Sequence, residues 1–119
     1  MEKLKVRIDI LKQAGIINEE MFYKILKVID MFKEKYNITL NEENASMFIT
    51  HLAMLLKRMK NNEEINALED DELEELKNFS SYDMAKEIYF SIEEILGEKI
   101  AENEYGFMIT HLITLLGGN

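Results

Sequence analysis

The 119-residue chain has no cysteine, which removes disulfide bonds, thiolate nucleophiles and cysteine-ligated zinc together. It has no proline, so its helices must be ended by other residues. Only five glycines occur, and they form no phosphate-cradling loop. No serine stands in a nucleophile-elbow setting, and no His-x-x-x-His or His-Glu-x-x-His spacing offers a metal site. Long apolar runs are missing as well. The start, MEKLKVRIDI, lacks the apolar stretch of a signal peptide, and no segment approaches the about 20 residues of a spanning helix. These absences point to a soluble cytoplasmic protein without cofactor or membrane association. No acid, base and nucleophile converge, so it reads as a non-enzyme.

Positive charge is scarce in one half. Residues 1–60 carry 11 basic and 8 acidic groups, whereas residues 61–119 carry 3 basic and 15 acidic, for a net charge of −9. So acidic a chain repels phosphate backbones, which argues against direct nucleic-acid binding. The densest acidic run, 63–75, holds no Lys or Arg. It reads as a solvated linker and short helix in preference to a partner-binding acidic patch.

With 47% hydrophobic residues the chain can build an ordinary core, and its length suits a single domain over 1–119. Apolar residues recur on a 3.6-residue period and never in strand alternation. The pattern predicts helices over 3–13, 19–36, 42–60, 82–96 and 102–116, with a short acidic helix near 71–78. That makes five or six helices, depending on whether the N-terminal run joins the core. Asn18 and Asn41 are placed as N-caps, and Ser80 or Ser81 caps the helix from 82. Gly15, Gly97 and Gly117-Gly118 stand at helix stops. Phe22, Ile25, Ile29 and Phe32 face inward, and the eight methionines fit core filling at helical spacing. Glu42 and Glu102 fall in first turns, where the helix dipole accounts for them.

The tetrapeptide Ile-Thr-His-Leu occurs twice and carries both histidines, His51 and His111, 60 positions apart. A shift of 60 also superimposes 37–56 on 97–116 and 22–36 on 82–96. The fold expected is therefore all-α: a compact bundle of about five helices, built as two similar antiparallel helical hairpins. Each histidine titrates near neutral pH and lies on an apolar helix. Positions seven apart share a side, which places Asn44 and Arg58 on the His51 stripe and Glu104 on that of His111. Taken alone, this pattern fits hydrogen-bonded boundary histidines better than functional ones.

Residues 44–60, NASMFITHLAMLLKRMK, and 104–112, EYGFMITHL, resemble the PTS regulation domain (PRD) family, the helical module that senses sugar uptake by the bacterial phosphotransferase system. In that family's pattern a histidine is followed seven residues later by arginine, as His51 is by Arg58. The second pattern, Glu-x-Gly-Phe-x-x-x-His, corresponds to Glu104, Gly106, Phe107 and His111. The resemblance implies phosphorylation of His51 and His111 by the histidine phosphocarrier protein or a sugar-specific transporter subunit. It implies a homodimer that signals through altered association, with Arg58, Asn44 and Glu104 supporting the sites. Arg58 or Lys57 is the cation expected to pair with phosphate on His51, whereas His111 has Glu104 on its stripe. Family members usually carry an RNA- or DNA-binding domain, and none is expected here. The alternative is a dimerisation module of the same fold whose histidines are structural.

Overall fold

The computed structural model of the protein describes residues 2–118, and every regular element among them is helical. In order they are α1 (Glu2–Gln13), α2 (Glu19–Tyr36), α3 (Glu42–Asn61), α4 (Asp70–Leu76), α5 (Tyr82–Leu96), a 3-10 turn (Glu102–Glu104) and α6 (Tyr105–Leu115). The class is all-α as the periodicity predicts, with six helices where about five were expected. They divide into two compact units, Met1–Asn61 and Asn62–Asn119.

Local capping chemistry sets most helix ends. Asn18 accepts the Met21 N–H at 2.8 Å and starts α2. Asn41 and Asn44 bond reciprocally to each other's backbone N–H, both at 2.9 Å, and start α3. Glu69 and Glu72 form the corresponding box before α4, so that helix begins one residue earlier than predicted. Ser81 holds the position before α5, but its side chain makes no capping bond. At the other ends, α2 stops on Asn37 (φ 55°) and α5 on Gly97 (φ 75°), both left-handed. Asn and Gly are the residues that tolerate that conformation. Residues 37 and 97 are equivalent under the shift of 60, so the repeat preserves its stop signal.

In the first unit α1 packs on α2 and α3, and α2 packs on α3. Leu4 and Ile8 of α1 are fully buried, as are Ile25 and Phe32 of α2, and the Phe32 ring meets Phe48 edge-on at 5.7 Å. A polar tie joins α1 to α3. The Arg7 guanidinium forks onto the Glu42 carboxylate, with Nε at 2.9 and 3.1 Å from its two oxygens. Nη1 donates to Thr50 Oγ1 at 3.3 Å. Glu42 is thus more than a dipole partner: its hydrogen bonds from Arg7 hold its carboxyl below the ordinary range.

In the second unit α5 and α4 both pack on α6. Its buried positions copy those of the first. Ile25, Val28, Ile29 and Phe32 are buried in α2, and Ala85, Ile88, Tyr89 and Ile92 are buried in α5. The copies differ where α6 begins. The first turn, expected as α-helix from 102, winds as the 3-10 turn, and Gly106 sits against Leu68 and Leu73. A Cβ at Gly106 would lie 2.7 Å from Leu68 Cδ1 and 2.8 Å from Leu73 Cδ2. Glycine here is a packing residue that lets α4 approach α6.

Candidate functional site

Each histidine occupies the same place on its helix. Phe48, Ile49, Leu52 and Ala53 are buried around His51, and Met108, Ile109, Leu112 and Ile113 are buried around His111. These flanking positions pin the helix faces to their cores and leave each imidazole half-buried at a helix edge. The two rings belong to different units.

At His51 the Nε2 atom itself is fully buried, although the residue as a whole is not. Arg58, half-buried, stands in the last turn of α3, where its charge also suits the helix dipole. Asn44 is committed elsewhere. Its Oδ1 accepts the Asn41 N–H, and its Nδ2 donates to the Thr39 carbonyl at 3.1 Å. That side chain fastens the start of α3. His51, Arg58 and the neighbouring Lys57 lie in the half of the chain where basic groups outnumber acidic ones, 11 to 8.

His111 sits in the acidic half. Burial pushes its pKa below the ordinary value of 6.5, so the ring is neutral at pH 7 and keeps a lone pair on one nitrogen. Glu104 is 2% exposed and precedes α6, at the end of the 3-10 turn. Gly106 and Phe107 of the same motif lie in the first turn of α6. Among the described residues, no three His, Asp or Glu side chains gather as a metal site.

The lowered pKa of His111 has a measurable consequence. The unfolded chain binds a proton near pH 6.5 that the folded ring resists, so stability is fully present above that pH. It falls as the pH drops through 6.5 and levels off below the folded pKa. Urea unfolding from pH 8 to 5 is expected to show this decline in the wild type and a flatter profile in His111→Gln. Identical profiles in the two proteins would exclude His111 as the cause.

Two roles escaped the pattern of the sequence. The Arg7–Glu42 pair joins residues 35 apart, and periodicity carries no signal for such a partner. The packing role of Gly106 depends on Leu68, in the irregular connection before α4, and Leu73, within α4, both more than 30 residues away.

Residues 26–115 match the family described as PRD domain. Over 112 residues the chain is 22% identical to YhfY, an uncharacterized protein of Escherichia coli (strain K12), and the match covers 94% of this chain and 93% of that protein. No solved structure matches the chain. The matched stretch takes in most of the chain and both histidine motifs, and on that ground the protein belongs to the PRD family of phosphotransferase-system regulatory domains.

Proposed function

We propose that the protein is a phosphorylation-responsive regulatory module of the sugar phosphotransferase system. Its phosphate acceptors are His51 and His111, and its output is altered association with other proteins. One observation carries this reading: two half-buried histidines stand at equivalent places with matching burial on both sides, in a chain of a regulatory family. The family match runs through both units, which supports treating them as one module. Among the described residues no helix is long and apolar enough to cross a membrane, and we place the protein in the cytoplasm. We assign it a homodimeric form, no turnover of its own and no direct contact with nucleic acid.

The donor is the histidine phosphocarrier protein or a sugar-specific transporter subunit. In-line transfer asks for positioning and charge neutralisation more than for covalent machinery. A neutral ring nitrogen attacks phosphorus, and the new N–P bond forms as the donor's bond to phosphorus breaks. The acceptor ring sheds its N–H proton, the leaving donor group takes one up, and only the phosphoryl group changes hands. The product carries about two extra negative charges. His51 has Lys57 and Arg58 six and seven residues further along its helix, whereas His111 lies in the acidic half, seven residues after Glu104. His51 is therefore the better-compensated acceptor. Because its Nε2 is buried, reaction there uses Nδ1 or follows a local opening of the α3 edge.

That burial also favours a second reading, a dimerisation module in which His51 is a structural side chain. Incubation with phosphoenolpyruvate, the general phosphotransfer enzyme and the phosphocarrier separates the two. Acid-labile phosphohistidine is expected in the wild type, strongly reduced in His51→Ala and absent from the double variant with His111→Ala. Full labelling of His51→Ala would move the primary site to His111. No label in the wild type would leave the dimerisation module.

A further inference from the structure

From Asn61 to Glu75 no residue is buried. α4 lies almost wholly within that stretch, has seven residues, and buries only Leu76, its last. An isolated helix shorter than about 12–15 residues is marginal in water, so α4 keeps its helix by resting on α6. The seat is narrow. Leu68 and Leu73, both half-buried, meet Gly106, and two hollows open to solvent adjoin the contact. One, a groove of about 740 Å³, runs past Ala67, Leu68 and Gly106. The other, of about 490 Å³, runs past Asp70, Glu74 and Lys77. Leu73 and Tyr105 line both, so open space flanks the seat of α4 where packed side chains would otherwise hold it.

Charge works against the seat as well. Residues 63–75 hold eight carboxylates and no Lys or Arg. Within α4, Asp70 and Glu74, like Asp71 and Glu75, stand four apart, and Asp71 and Glu74, like Glu72 and Glu75, stand three apart. At those spacings like charges destabilise a helix. Glu74 and Glu75 also fall in the last turn, against the helix dipole. The Glu69–Glu72 box and Lys77, which pairs with Glu74 at 2.9 Å, oppose this repulsion. Both ends of the stretch are exposed joints. Asn62 takes a left-handed conformation (φ 55°) after α3, and Lys77, Asn78, Phe79 and Ser80 are exposed before α5. The base beneath is held by other contacts. Tyr105 meets Tyr89 edge-on at 4.9 Å, and its hydroxyl lies 2.9 Å from that of Tyr82. Glu93 accepts the Ile100 N–H at 2.8 Å and closes the connection from α5 to α6.

We infer that residues 62–78 form a charge-sensitive strap that lifts from α6 as one unit while α5 and α6 stay folded. Local opening of this kind falls to elements with few buried contacts. Once lifted, α4 has no partner to sustain its helix, its carboxylates spread apart, and Leu68 and Leu73 leave Gly106. Screening or neutralising charge on the strap closes it, and adding negative charge to it opens it.

The inference does not depend on histidine phosphorylation, and the whole unmodified chain tests it through native-state amide hydrogen exchange followed by NMR. The N–H groups of Leu73, Lys77, Asn78 and Phe79 donate to the carbonyls of Glu69, Glu74, Glu75 and Leu76, so they report on the strap. They are expected to share one protection factor, at least about 100-fold below those of the buried α5 and α6 amides. Raising sodium chloride from about 20 to about 300 mM should raise that factor about twofold to threefold. Glu75→Lys, at an exposed site, should raise it about threefold to tenfold, with α5 and α6 nearly unchanged. Leu73→Ala should lower it about tenfold and leave α5 and α6 protected. Protection equal to that of α5 and α6 would overturn the strap, as would no protection at any salt. Deprotection of α5 and α6 by Leu73→Ala, or indifference to both salt and Glu75→Lys, would overturn it too.

Discussion

Phe32→Ala is expected to lower the unfolding free energy by about 3–5 kcal/mol. The ring is fully buried in α2 and meets Phe48 of α3 edge-on, so truncation removes apolar burial and leaves a cavity between two helices. Against a total stability of about 5–15 kcal/mol this is a large share. Ile92→Ala, at the equivalent position of α5 and equally buried, is expected to cost about 2–5 kcal/mol. Met84→Ala, at an exposed site on the same helix, should stay within about 0.5 kcal/mol. Urea unfolding followed by circular dichroism measures all three. If Ile92→Ala cost under about 1 kcal/mol, the two copies would share burial without sharing energetic weight.

The second large effect concerns charge at His51. His51→Glu is expected to destabilise by about 3 kcal/mol, because it brings a carboxylate to a position whose outer ring nitrogen is fully buried. His51→Gln, similar in size and neutral, should cost about 1 kcal/mol or less. The sign of the pH dependence tests the cause. A carboxylate raised in pKa by burial destabilises most when ionised, so the His51→Glu penalty should shrink as the pH falls through its raised folded pKa and be gone below the ordinary glutamate value of about 4.3. Equal losses in the Glu and Gln variants would assign the effect to shape. A charge-dependent loss, by contrast, would fit the proposal that a phosphoryl group at His51 disturbs local packing.

The start of α2 and the end of α5 were legible to the residue because their signals are local. Asn18 caps within three residues, and Gly97 ends its helix by its own backbone conformation. Asn37 performs the same left-handed stop and was missed, since asparagine at a helix end is a weaker mark than glycine. The last helix was expected from 102, but its first turn winds tighter. Helical spacing alone cannot distinguish these windings over three residues. Asn44 fell on the His51 stripe by spacing, yet its side chain serves the start of α3, because the nearest unsatisfied N–H lies at Asn41.

What the sequence by itself determined is the all-α class, the two copies 60 residues apart, the equivalent settings of His51 and His111, and the motifs that resemble the family. Periodicity and capping act within about one helical turn, so they survive without knowledge of neighbours. Only the tertiary structure decided that Glu42 belongs to Arg7, that Gly106 makes room for Leu68 and Leu73, and that Nε2 of His51 is buried. It also gathered Lys86, Lys99, Glu93 and Glu102 around one groove in the acidic half. Burial and pairing depend on what lies across the gap from a side chain, and in this chain those neighbours come from segments tens of residues away.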